Sequence, residues 1–322
     1  INSPWLSHLL VLLFGMSAWL SIDSIYVQLP ILSQSVSLLN LASFIVVIIQ
    51  ISCIFPFTYS IIRNWKREIT EKIESPLIVS LLIIDIIGLL LTTFTYTTVH
   101  SVWLLLSIFI LCIPCTMGDV VFMPLIGSIF PQSTVISSSL SRSIGVSFFG
   151  DNILPTLLSI SHLGINGTTW NFSYPVFIYI VCALVLVSLA AYCGIVIVEN
   201  GIEKRRSLSQ STTLPREINS SVQSIIFPIT VSLVASSLQS AAIPTLFIII
   251  LSIVNLSIPS VLLPISSGFS AGFQSLLRTA AASHSSHPKA LFICGFVTQF
   301  GSFIGAITVF ILANVFHLFI SS

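Results

Sequence analysis

The sequence predicts an all-α polytopic membrane protein with about nine transmembrane helices. Three observations predict it. Of 322 residues only 7% are charged and 55% are hydrophobic. A soluble domain carries roughly a quarter charged residues, so this chain cannot cover itself with a water-compatible surface. Apolar runs of about twenty residues, enough to cross the hydrocarbon core, recur along the chain with polar breaks between them. Ten of the eleven Lys and Arg residues fall in four of those breaks, and the eleventh, Arg278, lies at the edge of the fourth.

The runs cover 6–26, 41–62, 76–97, 102–126, 143–161, 174–198, 222–246, 257–281 and 290–319. A cytoplasmic N-terminus puts the breaks after the second, fourth, sixth and eighth runs on the inner side. Those breaks hold Arg63, Lys66, Arg67 and Lys72, then Arg142, then Lys204, Arg205, Arg206 and Arg216, then Lys289, with Arg278 in the last turn of the eighth run. One orientation therefore satisfies the positive-inside rule throughout. It requires an even number of runs between Arg216 and Arg278, and the intervening residues suffice for two at about twenty each, not four. The first run continues as a span without a basic leader or a small-residue cleavage site, so it is not read as a signal peptide. Ile1 in place of Met is an expectation of a trimmed or incomplete start. A Ser- and Thr-rich stretch, 199–221, reads as a flexible cytoplasmic linker between a six-helix N-terminal half, 1–198, and a shorter C-terminal helical half, 222–322.

Glycosylation acceptors test the orientation, because N-x-S/T is used only outside the cytoplasm. The sequons at Asn166 and Asn171 follow the fifth run and face outward in this scheme. Asn219 falls on the inner side and Asn255 too near a span to serve. The six Cys lie in or at the ends of apolar runs, where they act as small hydrophobes, and no disulfide is expected. A net charge of +1 gives no reason to expect a nucleic-acid partner.

The four Asp residues, Asp23, Asp85, Asp119 and Asp151, each lie inside an apolar run, whereas every Glu sits among the basic residues. An ionised Asp at a helix centre costs about 2.5–3.5 kcal/mol on insertion scales, so these side chains must face one another, face a cavity or carry protons. Bonding of a protonated Asp to a neighbouring helix is the plainer alternative. Asp85, in an otherwise aliphatic run, reads as the most structural of them.

On the first run Trp19, Asp23 and Tyr26 are spaced four and three apart and share a face, which Gly15 extends one turn earlier. Two aromatics flanking a carboxylate suit a flat heteroaromatic solute, whose ring faces stack while the carboxylate reads an edge. The alternative is that Trp19 packs in the core and Tyr26 belongs to the interfacial belt. On the fourth run Cys112, Cys115 and Asp119 share a face with Phe122 and Met123. The Cys-Ile-Pro-Cys tetrad reads as a Pro-kinked helix rather than a metal or redox site. The last run carries Gln299 among Gly295, Gly301, Ser302 and Gly305. His284 and His287 read as members of a solvated inner loop. No P-loop, H-E-x-x-H or G-x-S-x-G motif occurs, which disfavours an ATP-driven pump or a membrane hydrolase.

Residues 9–30, LLVLLFGMSAWLSIDSIYVQLP, resemble the first helix of the riboflavin transporter family, solute carrier family 52. The resemblance rests on Phe14-Gly15-Met16, Trp19, Val27 and Leu29-Pro30. Further similarity lies in Asp119-Val120-Val121-Phe122-Met123-Pro124, in Ile165-Asn166-Gly167-Thr168 and from Val234 to Pro244. In the last run it lies in Gln299-Phe300-Gly301-Ser302, Gly305-Ala306 and Asn314-Val315. The resemblance implies a fold similar to the equilibrative nucleoside transporters and the major-facilitator group. It also implies facilitated riboflavin uptake at the plasma membrane. The family has eleven spans, so nine imply a shortened or divergent member lacking two helices between Pro244 and Gly268. Tyr26 and Gln28 stand where the family has Trp and Glu, Asp23 and Asp119 stand where Asn is common, and 132–152 aligns poorly.

Together these readings give a transporter, not an enzyme, working by alternating access with riboflavin as cargo and lipid as solvent. Trp19 and Tyr26 would stack on the ring system, Asp23, Asp119 and Gln299 would bond its polar edge or the sugar-like tail, and Phe122 is counted among the binding residues. No cofactor is implied, and the oligomeric state is left open. The rival readings are a carrier for another flat heterocycle such as a nucleoside, a receptor that binds without transporting, and a truncated inactive product.

Overall fold

The structure, a computed structural model, describes residues 4–29, 31–32, 41–97, 101–129, 145, 150, 154–163, 171–209, 297, 300, 301 and 304. Every regular element among them is a helix: α1 (Pro4–Val27), α2 (Leu41–Ser52), α3 (Ile54–Trp65), α4 (Arg67–Thr95), α5 (Ser101–Ile129), α6 (Leu154–Leu163) and α7 (Tyr174–Ser209). Among the described residues four stretches are long and apolar enough to cross a membrane: Phe44–Arg63, Lys72–Thr95, Val102–Phe122 and Tyr174–Ile197. α1 adds a fifth when its two limbs are taken as one span. The chain is a multi-pass membrane protein.

The expected first, second, third, fourth and sixth runs fall on these stretches. The fifth is described continuously only from Leu154, as α6, which carries on to Leu163. The seventh to ninth lie outside the described residues apart from Val297, Phe300, Gly301 and Ile304. α7 continues as helix to Ser209, so the first part of the expected linker extends the sixth span.

Among the described helices α1 is the central one. It packs along α7 and against α5, α6 and α4, and its Val11, Phe14, Leu20, Ile22 and Ile25 are wholly buried. α4 runs along α5 and α7, while among the described helices α2 packs on α5 and α3 on α5 and α4 at the edge of the group. Most exposed side chains of that pair are apolar, Ile51, Ile54, Phe57 and Ile61 among them. Such a surface suits lipid, which solvates it as readily as a neighbouring helix would. Trp5 and Trp65, 82% and 81% exposed near helix ends, suit the interfacial belt.

Two irregularities shape the bundle. The second span breaks at Cys53, between α2 and α3. Pro56 has no N–H for the Ser52 carbonyl four residues back, and the Thr116 hydroxyl of α5 lies 3.3 Å from that oxygen. The first span bends by 49° between Trp5–Ser17 and Trp19–Val27. Beside the bend two hydroxyls take main-chain oxygens: Ser17 bonds the Phe14 carbonyl at 2.9 Å, and Ser188 of α7 bonds the Leu13 carbonyl at 2.7 Å. Hydroxyls that compete for ladder carbonyls loosen a helix locally, and here a neighbouring helix holds the bent form.

At the Arg-rich end of α3 and α4, Arg63 Nη1 meets Glu74 Oε1 at 2.6 Å, and the Tyr59 hydroxyl donates to the same oxygen at 3.2 Å. This pairing clasps the junction of the second and third spans.

Candidate functional site

The limb of α1 beyond the bend has two polar faces. Ser21, Ser24 and Gln28, spaced three and four apart, point into the bundle and are almost completely buried. Trp19, Asp23 and Tyr26 lie half a turn round, on the opposite side, and are partly exposed. The fold thus spends one polar stripe on anchoring the helix and leaves the other only partly covered.

The anchoring face makes two long-range bonds. The Ser21 hydroxyl donates to Asp85 Oδ2 of α4 at 2.7 Å. At the helix end, Gln28 Oε1 lies 3.1 Å from His162 Nδ1 of α6. The imidazole stacks on Phe172 at a centroid distance of 4.7 Å and on Phe177 at 5.5 Å. His162 is one residue past the expected fifth run, and burial holds its pKa below the ordinary value, partly opposed by a bond to the Phe172 main chain. Sequence reasoning missed this face, although serines and a glutamine at 17, 21, 24 and 28 repeat at four, three and four and signal a buried polar seam.

On the partly covered face, Tyr26 has Asp23, Cys112 and Cys115 as electrostatic neighbours. The structure therefore brings Tyr26 near the face of α5 that carries the Cys pair. Cys112 and Cys115 are buried thiols within a continuous helix. Asp119 is on α5 one turn beyond Cys115, its side chain outside the described residues. Phe122 is placed differently. Only 1% exposed, its ring packs on Phe14 at 4.6 Å, and Phe14 packs on Tyr192 of α7 at 5.3 Å. The Tyr192 hydroxyl in turn lies 2.7 Å from Ser75 Oγ. These contacts join α1, α5, α7 and α4 in one aromatic core below the bend, so Phe122 does not share a surface with Trp19 and Tyr26 in this arrangement.

Gln299 and Asn166 lie outside the described residues. Asn171 is exposed; its side-chain amide donates to the Ser161 carbonyl at 2.7 Å and its main-chain N–H to that of His162 at 2.9 Å.

The family model described as solute carrier family 52, riboflavin transporter, matches residues 3–138 and 251–321. The matched ranges include Trp19, Asp23, Tyr26, Asp119, Phe122 and Gln299 and exclude the segments around Asn166 and 234–244. The chain is 28% identical over 211 residues to riboflavin transporter rft-2 of Caenorhabditis elegans, covering 59% of this chain and 42% of that protein. It is 26% identical over 220 residues to riboflavin transporter 2 of Salmo salar, covering 58% and 47%. It is also 26% identical over 214 residues to solute carrier family 52, riboflavin transporter, member 2 of Homo sapiens, covering 59% and 46%. The matched chain spans about half the length of these relatives.

Proposed function

From the premise that the chain belongs to solute carrier family 52, the riboflavin transporters, we propose that it carries riboflavin across the plasma membrane by alternating access. Its relatives bear that function in their names. The observation that carries the reading is the bent first span, with Trp19, Asp23 and Tyr26 just beyond the break and turned away from the buried seam. Transporters build midplane sites from discontinuous helices, and here the break supplies two aromatic faces and one carboxylate to a planar, hydrogen-bonding solute.

In this reading Trp19 and Tyr26 stack on the isoalloxazine ring, and Asp23, Asp119 and Gln299 bond its polar edge or ribityl tail. Phe122 contributes through Phe14, as the floor beneath the site. The six-helix half, 1–198, and the C-terminal half, 222–322, rock about the site, joined by the linker. The N-terminus is cytoplasmic, which puts Asn166 and Asn171 outside as glycan acceptors.

Uptake of labelled riboflavin by cells expressing the chain tests the proposal. Uptake should saturate, be competed by excess riboflavin more strongly than by nucleosides, and disappear when Trp19→Ala and Asp23→Ala are combined at unchanged surface expression. Wild-type flux that this double variant leaves intact refutes the site.

A further inference from the structure

We propose that Ser188 of α7 is a positioning residue for riboflavin: its hydroxyl holds the bend of α1 that sets Trp19, Asp23 and Tyr26 for the solute. The proposal rests on the carrier reading above and adds a residue that acts through the main chain of another helix. Ser188 is wholly buried, and its hydroxyl donates to the Leu13 carbonyl at 2.7 Å, in the last turn before the break. The two limbs of α1 are moored to different helices. Along the first limb, Trp5–Ser17, α7 supplies a close seat. A methyl group at Gly194 would meet Leu10 Cδ2 at 3.2 Å, and the Tyr192 ring packs on Phe14 at 5.3 Å. Tyr192 is one turn from Ser188, and its hydroxyl lies 2.7 Å from Ser75 Oγ, which fixes this face of α7 against α4. The second limb, Trp19–Val27, is tied elsewhere, by Ser21 to Asp85 of α4 and just past its end by Gln28 to His162 of α6.

A carbonyl oxygen has two lone pairs, so Leu13 can accept the α7 hydroxyl beside a bond from its own helix. The added bond draws the oxygen outward and lengthens the ladder on that side, which bends a helix. With the second limb tied to α4 and α6, the angle at the break decides where Trp19 and Asp23 stand relative to the first limb. Ser188 also has a second acceptor, because the Leu184 carbonyl of its own helix is 3.3 Å from the same Oγ. One hydroxyl hydrogen serves one of the two well, and in this structure the shorter contact takes it. When α1 straightens, the hydrogen turns to Leu184, so no buried donor is stranded. The bent and straight forms of α1 therefore differ little in hydrogen bonding, and a solute that binds the bent form better shifts the balance toward it.

The test compares variants of the full chain with wild type by equilibrium binding of labelled riboflavin, by uptake into cells normalised to surface protein, and by thermal unfolding in detergent. Ser188→Ala should raise Kd and KM together by about threefold, the average effect of one interhelical hydrogen bond, with kcat near wild type. Ser188→Thr, which restores the hydroxyl, should bring both constants back toward wild type. Ser107→Ala is the control. It removes another buried interhelical hydroxyl, 3.1 Å from Thr95 Oγ1 at the C-terminal end of α4, and should lower the unfolding midpoint without moving Kd or KM. Ser188→Ala with wild-type Kd and KM overturns the inference. So does a Ser107→Ala variant that shifts them as much, since the role of Ser188 is then packing alone. Should Ser188→Ala not fold, Ser188→Cys, which keeps the shape and donates only weakly, decides by the same two constants. Wild type that neither binds nor carries riboflavin refutes the carrier reading, and this inference with it.

Discussion

Thr116 and Ser52 meet at the one carbonyl that Pro56 leaves unbonded in the second span. The Thr116 hydroxyl lies 3.3 Å from the Ser52 oxygen while also bonding the Cys112 carbonyl of its own helix at 2.9 Å. Both helix irregularities near the site are thus served by hydroxyls from neighbouring spans: Thr116 at Pro56, and Ser188 at the bend of α1.

Thr116→Val removes the hydroxyl and keeps the shape. It should cost about 1 kcal/mol, a typical interhelical or buried hydrogen bond. Thermal unfolding in detergent should give a lower midpoint for Thr116→Val and a near-native one for Thr116→Ser. Equal midpoints for the two variants would mean that the hydroxyl does nothing for Ser52.

Gly145 and Gly150 let the fifth span lie directly on the main chain of α1. A methyl group at Gly145 would collide with the Leu12 carbonyl, and one at Gly150 would stand 2.6 Å from the Met16 carbonyl. Main chain cannot swing aside as a side chain can, so Gly145→Ala should cost about 1–3 kcal/mol as overpacking and Gly150→Ala less. Because both contacts lie just before the bend, riboflavin uptake should fall with the thermal midpoint in the same order.

Phe122 and Trp19 should separate stability from recognition. Phe122 is enclosed by Phe14 and its neighbours, so Phe122→Ala should lower stability by about 2 kcal/mol, the packing share of such a change, since lipid removes the share due to water. Trp19 is partly exposed, and Trp19→Ala should leave the midpoint near native while abolishing saturable riboflavin binding. Calorimetry and equilibrium binding on the same purified proteins measure both effects. The reverse pattern would move the site from the upper face of α1 to the aromatic core.

His162 sets a pH dependence of stability. Its folded pKa is below the ordinary 6.5 because burial disfavours the imidazolium, so the unfolded chain takes up the proton first as pH falls. The stabilisation is complete above pH 6.5 and is lost as pH drops from there toward the lowered folded value. The detergent-solubilised protein should unfold at lower temperature at about pH 5.5 than at about 7.5. His162→Phe, which preserves the ring stack but cannot titrate, should reduce that difference. An undiminished difference would assign it to other groups.

Local physics made much of this protein legible in the sequence. The balance of apolar and charged residues identifies lipid as the solvent. Run length sets the spans, and the spacing of Trp19, Asp23 and Tyr26 puts them on one helical face whatever surrounds the helix. Each depends only on composition or on 3.6 residues per turn. Tertiary structure decided which side of α1 would be buried, because that depends on what neighbouring helices offer. Ser21 finds Asp85 across 64 positions and Gln28 finds His162 across 134, so the seam turns inward and Trp19 turns outward. The same packing withdrew Phe122 into the core against Phe14, and gave Asp85, the odd residue of an aliphatic helix, a hydroxyl partner on α1. No spacing within a single span could have distinguished these outcomes, since each rests on a partner supplied by a distant part of the chain.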